Sequence, residues 1–282
     1  MKINERKYLF IDGGYFRRVA KSISELYYPD IDILKIIDFH KVCYGYTKTF
    51  YYDCLPIIKK DETDEQFKIR TKKEIKFYNS LEMVPGLHVF NGMLRKNAKK
   101  NLQKGVDVKI AVDMLMHTIN GNMQQASLLT GDSDFIPLLE ALIQQGMYVT
   151  LLYSPKYTSK DLIYKADNKG IINSSYFFDK LNLIHRDLYK IPSVVDGGNV
   201  PKDLPIIGIL KSYHGTVNDS IISGNNNVFH EDIDNIHTVY YYYHSYFNGI
   251  SVRRYSFSNL NLIKLRIEED GFEVCWDKNY SV

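Results

Sequence analysis

The segment KYLFIDGG, residues 7–14, decides the class of fold. Its apolar run indicates a strand buried on both faces, and the two glycines after Asp12 indicate a tight turn. Similar apolar runs then alternate with amphipathic helical stretches as far as residue 190. Strands that alternate with helices in this way favour an α/β fold, in which a mostly parallel sheet carries helices on both faces.

The elements predicted for this part of the chain follow from apolar periodicity and from turn residues. Strands are predicted over residues 7–12, 49–55, 87–94, 126–130 and 148–153. Helices are predicted over residues 15–26, after the turn at Gly13 and Gly14, and over 31–39, 62–81, 105–119 and 134–145.

The second part of the chain has a different pattern. Residues 191–205 contain three prolines and two adjacent glycines, which is typical of a linker. Short β-rich runs separated by turn residues then fill residues 206–282, which predicts a small all-β barrel. We therefore divide the chain into residues 1–190, a linker over 191–205 and a barrel over 206–282.

The composition excludes several classes of protein. With 45% hydrophobic and 24% charged residues, the 282-residue chain is neither fibrous nor wholly disordered. A net charge of +3 is too small to identify a nucleic-acid-binding protein. Three cysteines without metal-ligand spacing argue against structural zinc and a disulfide framework. No stretch resembles a signal peptide or a membrane span, so a cytoplasmic location without membrane contact is expected.

Four aspartates fall where α/β proteins keep their binding sites, near the carboxyl ends of strands. Asp12 ends the first strand, Asp132 and Asp134 follow the strand 126–130, and Asp107 opens the helix before that strand. Any one of them could equally be a helix cap or a turn residue. Together they predict converging carboxylates, which need a cation such as Mg²⁺ or Mn²⁺ to stay ionised.

These acids lie in motifs that resemble those of the NYN family, PIN-like nuclease domains that include the LabA-like bacterial proteins. The motifs are YLFIDGGY (8–15), YYD (51–53), KGVDV (104–108), SLLTGDSDF (127–135) and GMYV (146–149). The resemblance extends over residues 6–180. It implies a three-layer PIN-like fold and divalent-metal-dependent ribonuclease activity.

The resemblance also implies roles for individual residues. Asp12, Asp107, Asp132 and Asp134 match the family's metal-binding acids, and we expect them to act in catalysis. Asp113 matches a further metal-binding acid of some members. Six helical positions put it roughly 120° around the helix from Asp107, so both reach one site only if Asp107 lies at a frayed helix start.

Single-stranded RNA is the expected partner. Lys104, which ends the basic run 95–104, and Ser133, between two acids, are predicted to contact it. Lys211, Tyr213 and Phe229 occupy positions similar to those of a cold-shock OB-fold, which stacks bases on aromatic rings. Whether the chain associates with copies of itself is left open.

Two other enzyme classes are disfavoured by the residues after the first strand. A haloacid-dehalogenase-like phosphatase needs a second acid where this chain has Gly14, and a dinucleotide-binding fold needs a GxGxxG motif that is missing there. Two readings stay open beside the ribonuclease. One is a non-catalytic RNA-binding or regulatory scaffold with a structural metal site, and the other is a structure-specific DNA nuclease.

Overall fold

The structure is a computed structural model that describes residues 5–55, 59, 62–92, 102–213, 219–220, 226–245 and 249–280. For residues 91–92, 102–104, 219–220, 245 and 280 it describes the backbone alone. The residues group into two compact units that are not continuous in sequence. The first comprises residues 1–22, 32–153 and 158–170, and the second comprises residues 23–31, 154–157 and 171–282.

The first unit is built on a sheet with the strand order β3-β2-β1-β4-β5-β6. Its strands are β1 (Lys7–Asp12), β2 (Lys48–Cys54), β3 (Leu87–Gly92), β4 (Gln125–Leu129), β5 (Tyr148–Tyr153) and β6 (Asn168–Ile171). The pairs β1–β2, β1–β4, β2–β3 and β4–β5 are parallel. The carboxyl ends of β1 and β4 therefore lie side by side at one edge of the sheet.

Helices connect these strands and cover both faces of the sheet. They are α1 (Gly13–Tyr27), α2 (Phe39–Val42), α3 (Asp64–Glu82), α4 (Leu102–Ile119), α5 (Ile136–Gln144) and α6 (Lys160–Lys165). Neighbouring residues of β2 show the two layers: the Tyr52 hydroxyl donates to Asp113 of α4, whereas the ring of Tyr51 contacts Phe77 of α3 on the other face. The predicted α/β fold of this part is confirmed.

One predicted helix of this unit is wrong. Residues 31–39 form a 3₁₀ turn at Ile33–Lys35, and the next helix, α2, begins only at Phe39. The side chain of Asp32 accepts from the Leu34 N–H, and that of Asp38 accepts from the His40 N–H. Each aspartate thus starts a separate short turn, because its carboxylate satisfies amides at a helix start.

The second unit contains the antiparallel sheet predicted from the β-rich runs. Its strand order is β13-β8-β10-β11-β12-β7, with β9 paired to β11. The strands are β7 (Ser193–Asp196), β8 (Ile206–Tyr213), β9 (Asp219–Ser220), β10 (Asn227–Ile233), β11 (Ile236–Ser245), β12 (Gly249–Phe257) and β13 (Phe272–Trp276). The helices are α7 (Ser174–Phe178), α8 (Leu183–Leu188) and α9 (Leu260–Glu269).

Closure of this sheet into a barrel, and its OB-like character, are not confirmed. In the part of the chain that is described, the strands follow an open path from β13 to β7. The predicted linker contributes β7 to that path, because Ser193–Asp196 pairs with β12. The sequence also misses α9, which buries Ile263 and Ile267 in the core of this sheet. A short amphipathic helix between strands is easily overlooked in a β-rich pattern.

None of the helices in the described ranges is both long and apolar enough to cross a membrane.

Gly13 is required by a close approach of the chain at the start of α1. A Cβ at this position would lie 2.7 Å from the Tyr51 ring and 2.7 Å from the Tyr52 carbonyl oxygen. At Gly14 the nearest atom would be Asp12 Oδ1 at 3.4 Å, an ordinary contact. The two glycines therefore form a matched pair, of which only the first is sterically constrained.

We expect Gly13→Ala to lower the free energy of unfolding by about 2 kcal/mol, because backbone must move to admit the methyl group. Gly14→Ala should be neutral or stabilising by about 0.5 kcal/mol, since alanine favours a helix over glycine. Urea unfolding of both variants tests this. Equal destabilisation by the two substitutions would contradict the assigned constraint.

Candidate functional site

Asp12 is held at the carboxyl end of the central strand β1. Its Oδ1 accepts a hydrogen bond from the Tyr15 amide at 3.0 Å, and its Oδ2 accepts one from the Thr130 hydroxyl at 3.1 Å. Desolvation raises the pKa of Asp12, and these hydrogen bonds oppose that rise. The carboxylate is therefore fixed in place although its charged form is poorly solvated.

Asp132 and Asp134 follow β4, beside the end of β1. The Asp132 amide donates to the Thr130 hydroxyl at 3.3 Å, and Asp132 Oδ1 accepts from the Asp134 amide at 2.9 Å. The latter bond caps the 3₁₀ turn Ser133–Phe135. Thr130 is fully buried and joins the two strand ends. The sequence motif contains this threonine, but nothing in the pattern indicated its role.

Asp107 of α4 completes a cluster of four carboxylates. Its pKa is raised to about 6, first by burial and then by the negative charges of Asp12, Asp132 and Asp134. Such repulsion requires the four groups to lie close together in a partly desolvated place. Helix α4 starts at Leu102, so Asp107 lies in its second turn and not at a frayed end. The charges of three acids thus act on Asp107, and we name these four residues the acid cluster: Asp12, Asp107, Asp132 and Asp134.

Asp113 points elsewhere. Its carboxylate accepts from the Tyr52 hydroxyl at 2.9 Å and from Lys109 Nζ at 2.5 Å. It is not among the charges that raise the pKa of Asp107. This separation agrees with the 120° estimate for six helical positions. A metal-binding role for Asp113 stays a prediction.

Asp53, the acid of the YYD motif, is a buried structural group. Arg17 Nη2 donates to Asp53 Oδ1 at 2.7 Å, and the Cys54 amide donates to the same oxygen at 2.8 Å. Burial raises the pKa of Asp53, and the positive charge of Arg17 opposes that rise. An ion pair formed within the protein is not free to bind a ligand.

Arg18, by contrast, is exposed, and its positive charge acts on Asp12. Burial raises the pKa of Asp12, and the charge of Arg18 opposes that rise together with the hydrogen bonds from Tyr15 and Thr130. The neighbouring Arg17 is instead paired with Asp53. Nothing in the sequence pattern distinguishes the two adjacent arginines of α1. Only the helix rotation, which sends one inward and one outward, distinguishes them.

The predicted nucleic-acid contacts stand as follows. Ser133 is exposed between the two acids of its turn, whereas the side chain of Lys104 and most of the basic run 95–104 lie outside the described residues. Lys211 is exposed on β8, but the ring of Tyr213 lies 4.4 Å between centroids from Phe272 of the core. Phe229 is half-buried and meets Tyr242 edge to face. These contacts stay predictions.

The acid cluster suits a hard divalent cation by the chemistry of its donors. Within the described ranges, no group of three or more His, Cys, Asp or Glu side chains is placed so that it could hold a metal ion. Mg²⁺ is commonly bound by one or two carboxylates, with water and substrate phosphate completing its shell. The carboxylates of the acid cluster are oxygen ligands of this kind, and a bound cation would offset the repulsion between them.

The raised pKa of Asp107 predicts a pH-dependent effect of Asp107→Asn. Folded Asp107 has a pKa of about 6, whereas an unfolded aspartate has one of about 3.9. The acid therefore favours folding below about pH 4 and loses this contribution as the pH rises through about 6. As the pH rises from about 4 to above 6, the free energy of unfolding of the wild type should therefore fall by about 1 kcal/mol relative to that of the variant, after allowance for solvent screening.

In metal-free buffer we expect Asp107→Asn to melt about 2–4 °C above the wild type at neutral pH, and at the same temperature below about pH 4. Calorimetric melting across this range measures the difference. Asp30→Asn, which changes an exposed acid outside the acid cluster, is the control and should show no such trend. If the difference in melting temperature between Asp107→Asn and the wild type is the same at all pH values, the raised pKa assigned to Asp107 is wrong.

Comparison with known proteins identifies the family of the chain. The NYN domain family model matches residues 6–173, a range that includes the whole acid cluster. No curated protein matches significantly. Among solved structures, a protein of unknown function from Vibrio parahaemolyticus is similar, with 22% identity over 64% of this chain and 99% of that chain, at a TM-score of 0.45. The family match covers more than half of the sequence, and the chain belongs to the NYN domain family.

Proposed function

We propose that the chain is a divalent-cation-dependent nuclease that hydrolyses phosphodiester bonds of RNA. The acid cluster carries this proposal, because burial first, and then the negative charges of Asp12, Asp132 and Asp134, raise the pKa of Asp107 to about 6. The NYN family is of nuclease type, which agrees with such a cluster. RNA as the substrate rests on the resemblance of the motifs to ribonuclease members of the family.

One or two of the acids Asp12, Asp107, Asp132 and Asp134 would bind Mg²⁺ or Mn²⁺ directly, with water and substrate phosphate completing its shell. Such an ion, when bound, lowers the pKa of a water ligand and offsets negative charge on the leaving oxygen. The chain's own contribution is to orient the carboxylates. Thr130 donates to Asp12 and accepts from the amide of Asp132, so one buried hydroxyl sets the relation between two of the acids.

Ser133 is proposed to steady the loop or a water molecule. It is exposed in the 3₁₀ turn between Asp132 and Asp134. A nucleophilic serine needs a neighbouring base that takes up its proton. The turn supplies only carboxylates, which the cation would occupy, so Ser133 is not assigned as a nucleophile.

Arg18 is proposed to contact a phosphate of the substrate. It is the exposed cation whose charge acts on Asp12, and an arginine can donate two parallel hydrogen bonds to a phosphate. A substrate phosphate could therefore bind the guanidinium of Arg18 close to the negatively charged acid cluster. This would compensate in part for the repulsion between phosphates and the acid cluster.

The nuclease proposal predicts cation-dependent cleavage of single-stranded RNA. With Mg²⁺ or Mn²⁺ the full chain should degrade a labelled RNA, and a chelator should stop it. Asp12→Asn and Asp132→Asn should each lower kcat by about a hundredfold or more, because they remove a ligand and its charge. Asp30→Asn is the matched control and should cleave like the wild type.

Undiminished cleavage by both Asp12→Asn and Asp132→Asn would sink this assignment. Melting curves of both variants must show that each is folded. An asparagine at position 132 can still accept from the Asp134 amide, whereas one at position 12 has a single acceptor oxygen for the Tyr15 amide and the Thr130 hydroxyl. Single-stranded DNA of the same sequence belongs in the assay. Preferred cleavage of the DNA would replace RNA by DNA as the substrate.

The Arg18 proposal predicts a change in substrate binding. Arg18→Ala should raise KM about threefold to tenfold and make binding less dependent on salt, because one phosphate contact is lost. Arg18→Lys keeps the charge and should recover part of the affinity. If Arg18→Ala lowers kcat at unchanged KM, the proposed phosphate contact is wrong.

A further inference from the structure

A groove adjoins the acid cluster in the first unit. It has a volume of about 470 Å³ and lies between α4 on one side and α5, with the 3₁₀ turn before it, on the other. Its walls are formed by Asp107, Val108, Ala111, Leu115, Asp134, Phe135, Pro137, Leu138 and Ala141. Two of these residues, Asp107 and Asp134, belong to the acid cluster. The groove therefore begins where the proposed scissile phosphate would be bound.

The walls beyond the two acids are apolar. Val108 is 61% exposed at the edge of the groove, although a valine is more stable when covered. The apolar wall residues carry no side-chain donors or acceptors. Such a groove favours a flat, largely apolar group and cannot distinguish one hydrogen-bonding pattern from another.

We infer that this groove binds an unpaired base of the nucleotide next to the scissile phosphate. A nucleotide whose phosphate is bound through a cation at Asp107 or Asp134 must place its sugar and base close by, and the groove is an apolar surface that starts at those two residues. A base inside a duplex is stacked and paired, so it cannot enter a pocket without leaving the helix. This inference rests on the proposed nuclease function and makes its substrate single-stranded, with little preference among bases.

The rest of the exposed face of α4 is a separate feature. Val112, Met116 and Ile119 are exposed along this helix, but none of them lines the groove. A second copy of the chain that covered this stripe would not need the groove. Val112 therefore provides a control for Val108: the two valines are one helical turn apart and both are exposed, but only Val108 is a wall residue.

The test compares two probes that differ only in their bases. One is a labelled ten-nucleotide oligouridylate, and the other is an abasic ribose-phosphate oligomer of equal length. Binding to the full chain is measured by fluorescence anisotropy with Ca²⁺ in place of Mg²⁺, and a gel confirms that the RNA stays intact. We expect the wild type to bind oligouridylate about fivefold to tenfold more tightly than the abasic oligomer.

Val108→Ser should reduce this preference about threefold, because it removes apolar contact with the base. Ala141→Leu, which fills the groove from the opposite wall, should reduce it as well. Val112→Ser should leave it unchanged. Duplex RNA should bind no better than the abasic oligomer.

Equal affinity of the wild type for the two probes overturns the inference, and so does an equal effect of Val108→Ser and Val112→Ser. If both serine variants instead dissociate a dimer in light scattering, the face is an interface between copies and the inference is also wrong. If the chain cleaves RNA but binds oligouridylate and the abasic oligomer equally, the groove assignment is wrong and the nuclease proposal stands. If the chain binds oligouridylate more tightly than the abasic oligomer but does not cleave RNA, the groove is kept as a binding site and the nuclease proposal is wrong.

Discussion

The hydrogen bond from the buried Thr130 hydroxyl to Asp12 is the interaction on which the site depends. Parallel pairing of β1 and β4 brings their carboxyl ends to one edge, and Thr130 then fixes the first acid relative to the loop that carries the next two. A hydroxyl both donates and accepts, so a single side chain can serve both strands. Gly13 allows the chain to turn away immediately into α1, against Tyr51.

The acid cluster is unfavourable in the absence of a cation, and that cost is informative. Burial and the charges of its neighbours raise the pKa of Asp107, although a folded protein gains stability by separating such groups. Asp53 and Asp113 show the alternative, because each is compensated by a basic residue. Among the described residues the four acids of the acid cluster form no such ion pair, although the charge of Arg18 acts on Asp12. Acids of this kind that act on one another are candidates for binding a positively charged ligand.

The α/β fold of the first unit and the positions of three acids at strand ends could be predicted from the sequence, because strand periodicity and parallel connections place strand ends together. Asp12, Asp132 and Asp134 follow from that rule alone. The direction of Asp107, as against Asp113, depends on where α4 starts, which periodicity does not give to within one turn. The groove could not be predicted, since it depends on the packing of α4 against α5 and the 3₁₀ turn before it. The helix α9 was missed because its short apolar pattern lies between strands.

Diffraction from crystals grown with Mn²⁺ tests the central claim most directly, because the anomalous signal locates the ion without reference to activity. The account predicts a manganese peak bonded to carboxylate oxygens of one or two residues among Asp12, Asp107, Asp132 and Asp134. It also predicts loss of that peak in crystals of Asp12→Asn. A manganese ion bound only elsewhere, at a concentration that supports cleavage, would contradict the account.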